Sequence, residues 1–346
     1  MKVIIASSFV PFVNGGGRFI VEWLEEKLLE YGHEVEKFYL PFNEHHDKLL
    51  ENLLSYRLLD IGNRADRLIA IRPPAHSIIH PNKVVWFIHH LRGYYDLAQT
   101  KHTSVPYTGE GRAICDALHR HDTMALKEAR AVFTNSGVVG DRLKKYNGVD
   151  SKILFPPLLS PDRFYCGDPN DKIVSVCRLE AHKRQHLFVE AMAYVKTPVK
   201  LHICGKSSGG AYEQELKRIA HAKNVEDKVR FDFGWISEED KIKYVSNSLA
   251  CVYAPVDEDS YGYPTLEAAA AEKPTLTTWD AGGTLEFIRD GENGLIRDPS
   301  PQDIAEGFDK FYLNQNKTKQ MGRAAADTVR NLNITWDYVI ESLLDC

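Results

Sequence analysis

The sequence predicts an α/β protein built from two doubly wound parallel sheets. Short apolar runs typical of buried strands alternate with segments of helical periodicity, first in one half of the chain and again in the other. The 346 residues exceed the size at which a single hydrophobic core usually stops growing. A stretch around residues 153–170 is rich in proline and aspartate and lacks periodicity, so it separates the two halves.

We therefore predict a Rossmann-like domain over residues 1–165, a second one over residues 166–330, and a final helix over residues 331–346. In the first domain, strand-like runs are KVIIASSF, HEVEKFYL, DRLIAIR, KVVWFIH and ARAVFTNS, with helices after the first and the last. In the second, they are DKIVSVCRL, VKLHICGK, KVRFDFGW, LACVYAPV and KPTLTTW, with a helix between each pair. A ligand of such domains is expected in the cleft between them, at the carboxyl ends of the strands.

Composition limits the classes of function. The formal net charge of −5 gives no overall attraction to nucleic acid, so we expect no nucleic-acid partner. The start MKVIIASSFVPF has neither a basic leader nor a long apolar run, which favours a cytoplasmic enzyme. The six cysteines form no close pairs and the histidines show no HxxxH pattern, so we expect reduced core cysteines, no metal site and no cofactor.

The stretch DSYGYPTLEAAAAE over residues 259–272 joins acids to a helix of small residues. The preceding strand delivers Asp257, Glu258 and Asp259 at its carboxyl end, and Pro264 suits the first position of a helix. The free N–H groups at such a helix start favour a phosphate or a sugar oxygen, and Glu267 suits a sugar diol. The alternative is that the acids are helix caps and solvated charge.

Two basic residues follow the first strand of the second domain. Arg178 stands at the strand end and Lys183 at the start of the next helix. A guanidinium and an ammonium at one strand end suit a diphosphate, because together they neutralise two negative phosphates. The alternative is ordinary surface charge.

Three glycines, Gly15 to Gly17, follow the first strand and allow the backbone to approach a ligand closely. The pattern is not GxGxxG, and no acid ends the second strand, which argues against a nicotinamide enzyme. The Lys-Ser/Thr pair of a P-loop is also missing.

The run VVWFIHHLRGYYDL ends a strand on two histidines. Either His89 or His90 would serve as a hydrogen-bond donor or base at a ligand site, or simply pack in the core. Aromatic rings stack on sugar faces and acids hold diols, so the residues that follow are candidates for an acceptor sugar site. These are Arg92, Tyr94, Tyr95 and Asp96.

These features, in this order on two doubly wound domains, resemble the retaining family 4 glycosyltransferases with the GT-B fold. The resemblance covers nearly the whole chain and is strongest over residues 173–298. Arg178 and Lys183 match the R-x4-K pair of that family, and AGGTLEFIRDGENGLIRDP also matches its pattern. The family signature E-x7-E reads D-x7-E here, with Asp259 in the first position and Glu267 in the second.

The resemblance implies two facing domains, an acceptor side at residues 1–165 and a nucleotide-sugar side at residues 166–330, with the final helix crossing back to the first. It implies catalytic roles for His89, which fits better than His90, and for Asp259, Arg178 and Lys183. It implies donor contacts from Gly15, Gly16, Gly17, Gly234, Trp235, Ile236, Tyr261, Gly262, Tyr263, Thr265, Leu266 and Glu267.

The implied function is metal-independent transfer, with retention, of a hexose-type sugar from a nucleotide-diphosphate sugar. The expected acceptor is a glycan or lipid-linked sugar in the synthesis of cell-envelope polysaccharide or glycolipid. Weak peripheral contact with the inner face of a membrane is a further hypothesis, from the amphipathic run DKLLENLLSYRLLDIG and a basic helix. The alternative for the amphipathic run is an ordinary buried helix face. The alternatives are a nucleotide-sugar-binding protein without catalysis and a sugar-nucleotide epimerase on the same fold.

Overall fold

A computed structural model describes residues 1–12 and 15–346, so Val13 and Asn14 of the glycine-rich turn lie outside the described residues. The chain divides into two compact units. Unit 1 comprises Met1–Pro157 and Ile334–Cys346, and unit 2 comprises Leu158–Asn333. The division falls between Pro157 and Leu158, whereas the sequence predicted it between residues 165 and 166. The roles assigned to the two domains remain predictions.

Unit 1 contains a parallel sheet, and its first helix begins within the run of three glycines. Its strands are β1 (Lys2–Phe9), β2 (Glu34–Pro41), β3 (Arg67–Ala70), β4 (Lys83–Phe87), β5 (Ala131–Thr134) and β6 (Lys152–Ile153). Its helices are α1 (Gly16–Glu30), α2 (His46–Arg57), α3 (Gly109–Lys127), α4 (Gly137–Asn147) and α11 (Trp336–Leu344), the last being numbered by its place in the chain.

Unit 2 repeats the same alternation of strand and helix. Its strands are β7 (Lys172–Val176), β8 (Lys200–Gly205), β9 (Val229–Phe233), β10 (Ala250–Val252), β11 (Thr275–Thr278) and β12 (Gly294–Arg297). Its helices are α5 (Gln185–Ala191), α6 (Ala211–Ala222), α7 (Glu238–Ser246), α8 (Tyr263–Ala270), α9 (Pro301–Leu313) and α10 (Gln315–Asn331).

The strand orders locate a switch point in each sheet. The sheet of unit 2 runs β12-β11-β10-β7-β8-β9, so the chain proceeds from β7 to one edge and then returns to the other side of β7. The sheet of unit 1 runs β2-β1-β3-β4-β5-β6, and its direction reverses between β1 and β3. The strand pairs in both sheets are parallel. Ligands of such sheets bind outside the carboxyl ends of the strands that flank this reversal.

Each strand of unit 2 packs its apolar side chains against the flanking helices, and the largest core cluster joins β7, β8 and β10 to α5, α6 and α9. Sequence analysis does not identify α3, α9 or α10. In α3, the glycines of the first turn and a buried acid, Asp122, interrupt the apolar stripe that marks a helix. Asp122 is nevertheless satisfied, because His76 Nε2 lies 2.8 Å from Oδ1 and the Tyr95 hydroxyl donates to Oδ2 at 2.7 Å.

Within the described ranges, none of the helices combines the length and the apolar character that crossing a bilayer requires. The amphipathic run identified in the sequence forms α2, which buries Leu49, Leu53 and Tyr56. Leu50 and Leu54 on this helix are 43% and 54% exposed, and Leu58 at its end is 71% exposed. The helix therefore has a packed face and a second apolar stripe at the surface.

Candidate functional site

The switch point of unit 2 brings together side chains that follow β7 and β10. Lys183 ends a short 3-10 turn after β7, and α5 begins two residues later. Its ammonium forms an ion pair with Oε2 of Glu258, which follows β10. Tyr253 completes the cluster, because its hydroxyl accepts a 2.9 Å hydrogen bond from Lys183 Nζ and donates one of 3.1 Å to Glu258 Oε2.

Burial and the neighbouring groups together determine the charge states in this cluster. Lys183 is 7% exposed, and Glu258 is partly buried. Burial alone would raise the pKa of the Glu258 carboxyl, but the charge of Lys183 and the hydrogen bonds from Lys183 and Tyr253 outweigh it and lower that pKa. Burial, followed by the negative charge of Glu258, raises the pKa of the Tyr253 hydroxyl. Glu258 is therefore ionised and Tyr253 neutral at pH 7.

Two glycines fix the loop that carries Glu258. Gly283 donates its backbone N–H to the Glu258 carbonyl oxygen at 2.8 Å, and Glu258 donates its own to the Ala281 carbonyl at 3.3 Å. Gly282 has a φ of +64°, and a Cβ there would collide with the backbone of Glu258. The glycine pair in AGGTLEF thus permits the close backbone approach that positions the acid.

Arg184 holds the ends of β10 and β11, a role that the sequence did not indicate. Its Nε donates to the carbonyl oxygen of Ala254 at 2.8 Å and its Nη2 to that of Pro255 at 2.6 Å. The guanidinium also donates to both oxygens of Asp280, at 2.7 and 2.9 Å, and to the hydroxyl of Thr278 at 2.9 Å. Because these partners lie in separate loops, only the folded sheet shows that the residue after Lys183 is structural.

The helix that follows Glu258 begins without a side-chain cap. Gly262 precedes α8 with a φ of +73°, no side chain caps the helix, and its first turn holds no acid. α8 begins at Tyr263, so Pro264 is one position later than predicted but still in the first turn. A Cβ at Gly262 would collide with the Tyr253 ring, so glycine lets the helix start pack against the lysine cluster.

Three residues predicted to bind the donor have side chains that face inward, and their donor contacts stay a prediction. Tyr261 is 1% exposed with its ring centroid 6.1 Å from that of Phe287, and Leu266 is 2% exposed. Thr265 is 1% exposed and donates its hydroxyl hydrogen bond to the Tyr261 carbonyl at 2.8 Å. Packing in the core requires this orientation, so any contact with a ligand would come from the backbone. Tyr263 is partly buried.

Glu267 also lies inside the domain. It is 5% exposed, and its Oε1 lies 2.7 Å from the Nζ of Lys241 on α7. Burial raises the pKa of the Glu267 carboxyl, and Lys241 only partly offsets this effect. The lysine partner was not evident from the sequence, because α7 and α8 are separated by β10.

Arg178 and Asp259 lie at the same edge but with more exposure. The Arg178 side chain is 49% exposed, and its Nη1 forms a 2.8 Å ion pair with Glu180 Oε1. Its positive charge also acts on Tyr253, where it partly offsets the effects that raise the pKa of the hydroxyl. Asp259 is partly buried and directly follows Glu258. The structure thus places Glu258, rather than Asp259, in the ion pair with Lys183.

The predicted nucleobase loop follows β9 at the carboxyl edge of the sheet. Gly234 has a φ of +120° and donates its N–H to the carbonyl oxygen of Gly205, at the end of β8, at 2.9 Å. Trp235 is 71% exposed, and Ile236 is partly buried. An exposed indole at this edge is available to a ligand.

In unit 1, Arg72 lies close to the glycine turn and its charge acts on His89, the histidine that follows β4. A Cβ on Gly17 would lie 3.3 Å from both the Cδ of Arg72 and the Cδ1 of Ile88. His89 is partly buried and donates from Nδ1 to the carbonyl oxygen of His90 at 2.8 Å. Burial, and then the charge of Arg72, lower the pKa of His89 to about 4. Arg72 follows β3, and the sequence analysis did not identify it.

Gly15 precedes α1 and accepts hydrogen bonds from the N–H groups of Arg18 and Phe19 at 2.9 and 3.1 Å, and Gly16 is exposed. His90, by contrast, is 3% exposed and its Nε2 lies 3.0 Å from Oδ1 of Asn147. Of the two histidines, His89 has the greater exposed surface and is therefore the one that a ligand can reach.

The predicted acceptor residues are mostly internal. Tyr94 and Tyr95 are 1% and 5% exposed, and the Tyr94 hydroxyl donates to the Glu44 carbonyl at 2.6 Å. The expectation that these two rings stack on an acceptor sugar is wrong, because they fill a core cluster between α2 and α3. Arg92 and Asp96 are partly buried and form a 2.6 Å ion pair with each other.

Comparison with known proteins finds similarities that centre on the second unit. The family model "Glycosyl transferases group 1" matches residues 167–328. The alpha-1,3/1,6-mannosyltransferase ALG2 of Dictyostelium discoideum is 25% identical over 199 residues, which cover 53% of this chain and 46% of the relative. The GDP-mannose-dependent alpha-(1-6)-phosphatidylinositol monomannoside mannosyltransferase of Mycobacterium tuberculosis is 26% identical over 182 residues, 50% of this chain and 46% of the relative. The chain thus spans about half the length of these curated relatives.

Solved structures match over the full length. The Anabaena protein HepE in complex with UDP has a TM-score of 0.76 at 16% identity and covers 100% of both chains. Sucrose-phosphate synthase of Thermosynechococcus elongatus has the same TM-score and identity, covering 98% of this chain and 96% of that one. The predicted GT-B fold is therefore confirmed. Residues 167–328 are thus similar to the glycosyl transferases group 1, in a chain with the GT-B fold.

Proposed function

We propose that this protein is a retaining glycosyltransferase that moves a hexose-type sugar from a nucleoside-diphosphate sugar to a hydroxyl of a glycan or lipid-linked sugar. The observation that carries the proposal is the Lys183, Tyr253 and Glu258 cluster at the switch point of unit 2, beside the open start of α8. A buried ammonium at this place is suited to the diphosphate of a nucleotide sugar.

The hydrogen-bond inventory of Lys183 supports this role. An ammonium has three N–H donors, and Tyr253 and Glu258 take two of them. One donor remains for a phosphate oxygen, while Glu258 keeps the ammonium fixed. Arg178, which is more exposed, supplies a second cation, and the N–H groups at the start of α8 supply partial positive charge. Together these groups would stabilise the negative charge that develops on the leaving diphosphate.

The relatives indicate which nucleotides to test. The Mycobacterium tuberculosis relative is named for GDP-mannose, and HepE was crystallised with UDP. We therefore propose a GDP- or UDP-sugar as donor. The exposed indole of Trp235, at the carboxyl end of β9, is proposed to lie against the nucleobase.

The sugar side of the reaction is assigned to Asp259 and His89. His89 donates from Nδ1 to a backbone carbonyl, which leaves Nε2 as the acceptor atom of a neutral ring. A neutral imidazole can accept a hydrogen bond from a sugar hydroxyl without adding positive charge near an oxocarbenium-like sugar. Arg72 supports this state, because its charge disfavours protonation of the ring.

The acceptor is proposed to be part of envelope polysaccharide or glycolipid synthesis, with the protein in the cytoplasm. The exposed leucines of α2, Leu50, Leu54 and Leu58, support weak peripheral contact with a membrane that carries a lipid-linked acceptor.

Replacing Arg178 with Ala is expected to weaken binding of the matching nucleoside diphosphate, GDP or UDP, by roughly tenfold to hundredfold, because a hydrogen bond to a charged group contributes about 1.5–3 kcal/mol. Titration calorimetry measures this change. The matched control is Arg218→Ala, which removes an exposed arginine of α6 that pairs with Glu215.

Lys183→Ala is best combined with Glu258→Gln, since the lysine variant alone leaves a partly buried carboxylate unpaired. Wild-type affinity in both Arg178→Ala and the double variant would refute the diphosphate assignment.

Asp259→Asn is expected to slow release of nucleoside diphosphate from the donor by about a hundredfold or more, because it removes a negative charge near the developing positive charge. Asp259→Glu keeps the charge and is expected to retain most of the rate. Nucleotide affinity is expected to stay unchanged in both, as measured by calorimetry. Equal rates for Asp259→Asn and the wild type would remove this residue from the mechanism.

His89 is expected to remain neutral at pH 6 and to titrate near pH 4, whereas Arg72→Gln raises its pKa towards the usual value. The unfolded chain binds this proton first as the pH falls, so His89 lowers the free energy of unfolding between about pH 6.5 and pH 4. NMR titration of the ring, assigned with His89→Gln, measures the pKa. Arg64→Gln, an exposed site in the same unit, is the control. A His89 pKa that is the same in the Arg72→Gln variant and the wild type would contradict the role of Arg72.

A further inference from the structure

We propose that His202, Cys204 and Asp232 form a site for a zinc-like divalent cation in unit 2, independent of the transfer reaction. His202 and Cys204 are two residues apart on β8, so their side chains lie on the same face of the sheet. Asp232 on β9 is the direct register partner of Cys204 in the parallel pair. The sheet therefore presents a nitrogen, a sulfur and an oxygen ligand side by side.

The ligand atoms converge closely. His202 Nε2 lies 2.8 Å from Asp232 Oδ2 and 3.1 Å from Cys204 Sγ, and all three ligand atoms lie within 4.8 Å of one another. Nε2 of a neutral imidazole is either a donor or an acceptor. It therefore cannot donate to the carboxylate and accept from the thiol at once. A cation among the three atoms would satisfy all of them, after a small outward movement.

Surrounding groups orient the ligands as metal sites require. Arg230 donates to Asp232 Oδ2 at 2.7 Å and to Oδ1 at 3.1 Å, which fixes the carboxylate from outside. The Tyr244 ring packs edge-on against His202, with centroids 4.6 Å apart. His202 and Cys204 are 2% and 0% exposed, while Asp232 is partly buried and borders the surface. A metal ion would enter past Asp232, where water can supply a fourth ligand.

The donor set selects the class of cation. Thiolate, imidazole and carboxylate together are typical of Zn²⁺ and of its spectroscopic substitute Co²⁺, whereas Mg²⁺ and Ca²⁺ prefer oxygen ligands alone. The competing explanation is a hydrogen-bonded trio in which Cys204 is an ordinary core residue. The two explanations differ in whether the thiol becomes a metal-bound thiolate.

The ligands of this site have neither the helical HxxxH spacing nor the close cysteine pairs by which a sequence indicates a metal site. Here the ligands alternate along one strand, and the third comes from its neighbour about 30 residues later. Only the register of β8 and β9 brings them together.

The test is a titration of the metal-stripped full chain with Co²⁺, followed by optical spectroscopy. We expect one Co²⁺ per chain, with the charge-transfer band of a cobalt–thiolate bond, and displacement of that band by Zn²⁺. Zn²⁺ is also expected to raise the melting temperature, because it binds the folded state only. If the folded wild-type protein shows no cobalt–thiolate band with Co²⁺ in excess, the proposal is overturned, and no variant is needed for this conclusion.

Variants identify the ligands. Cys204→Ser is expected to abolish the thiolate band, and Asp232→Asn is expected to weaken Co²⁺ binding by at least about tenfold. Cys251→Ser is the matched control, since Cys251 is also a buried cysteine on a strand of this sheet but has no place in the cluster. A band that persists in folded Cys204→Ser, or one that is lost in Cys251→Ser instead, would contradict the assignment.

Discussion

The ion pair between Lys183 and Glu258 is the interaction on which the proposed donor site of unit 2 depends. Removing one partner of a buried pair leaves an uncompensated charge and typically costs about 3–5 kcal/mol, so the surrounding structure must hold both. The Tyr253 hydroxyl bridges the two groups, the Gly282 turn places the glutamate, and Arg184 ties the loops after β10 and β11 together. The site is thus assembled from strand ends that meet only because β10 returns to the side of β7.

Each unit places its candidate ligand-binding residues at the carboxyl ends of the strands that flank the reversal of its sheet, but the side chains there differ. In unit 2 a buried lysine, an open helix start and an exposed tryptophan lie at the carboxyl edge, which suits a charged nucleotide. In unit 1, the reversal between β1 and β3 places Gly17 next to Arg72, with a neutral His89 in the loop that follows β4. In both candidate sites, a buried or partly buried cation, Lys183 in unit 2 and Arg72 in unit 1, supplies positive charge. The strand that precedes each cation places it at the edge of the sheet.

Sequence patterns were sufficient for the fold and for part of the site. Alternation of strand and helix predicted both sheets, and the D-x7-E stretch located the start of α8 and its glycine. The patterns did not predict which acid pairs with Lys183. The side chains of neighbouring loop residues point in different directions, and it is Glu258 rather than Asp259 that contacts the lysine. They also placed Tyr94 and Tyr95 in a sugar site, although burial in the core explains their aromatic character. Arg72, Arg184 and Lys241 went unnoticed, since their roles depend on partners distant in sequence.

The most direct test of the account is hydrogen exchange of the full chain with and without UDP or GDP, read by mass spectrometry. We predict that the nucleotide that binds slows exchange at residues 178–183 and 258–267, where backbone and cations would hold the diphosphate. Slowed exchange confined to other segments, or no binding of any nucleoside diphosphate to the folded protein, would contradict the claim that the switch point of unit 2 is a donor site.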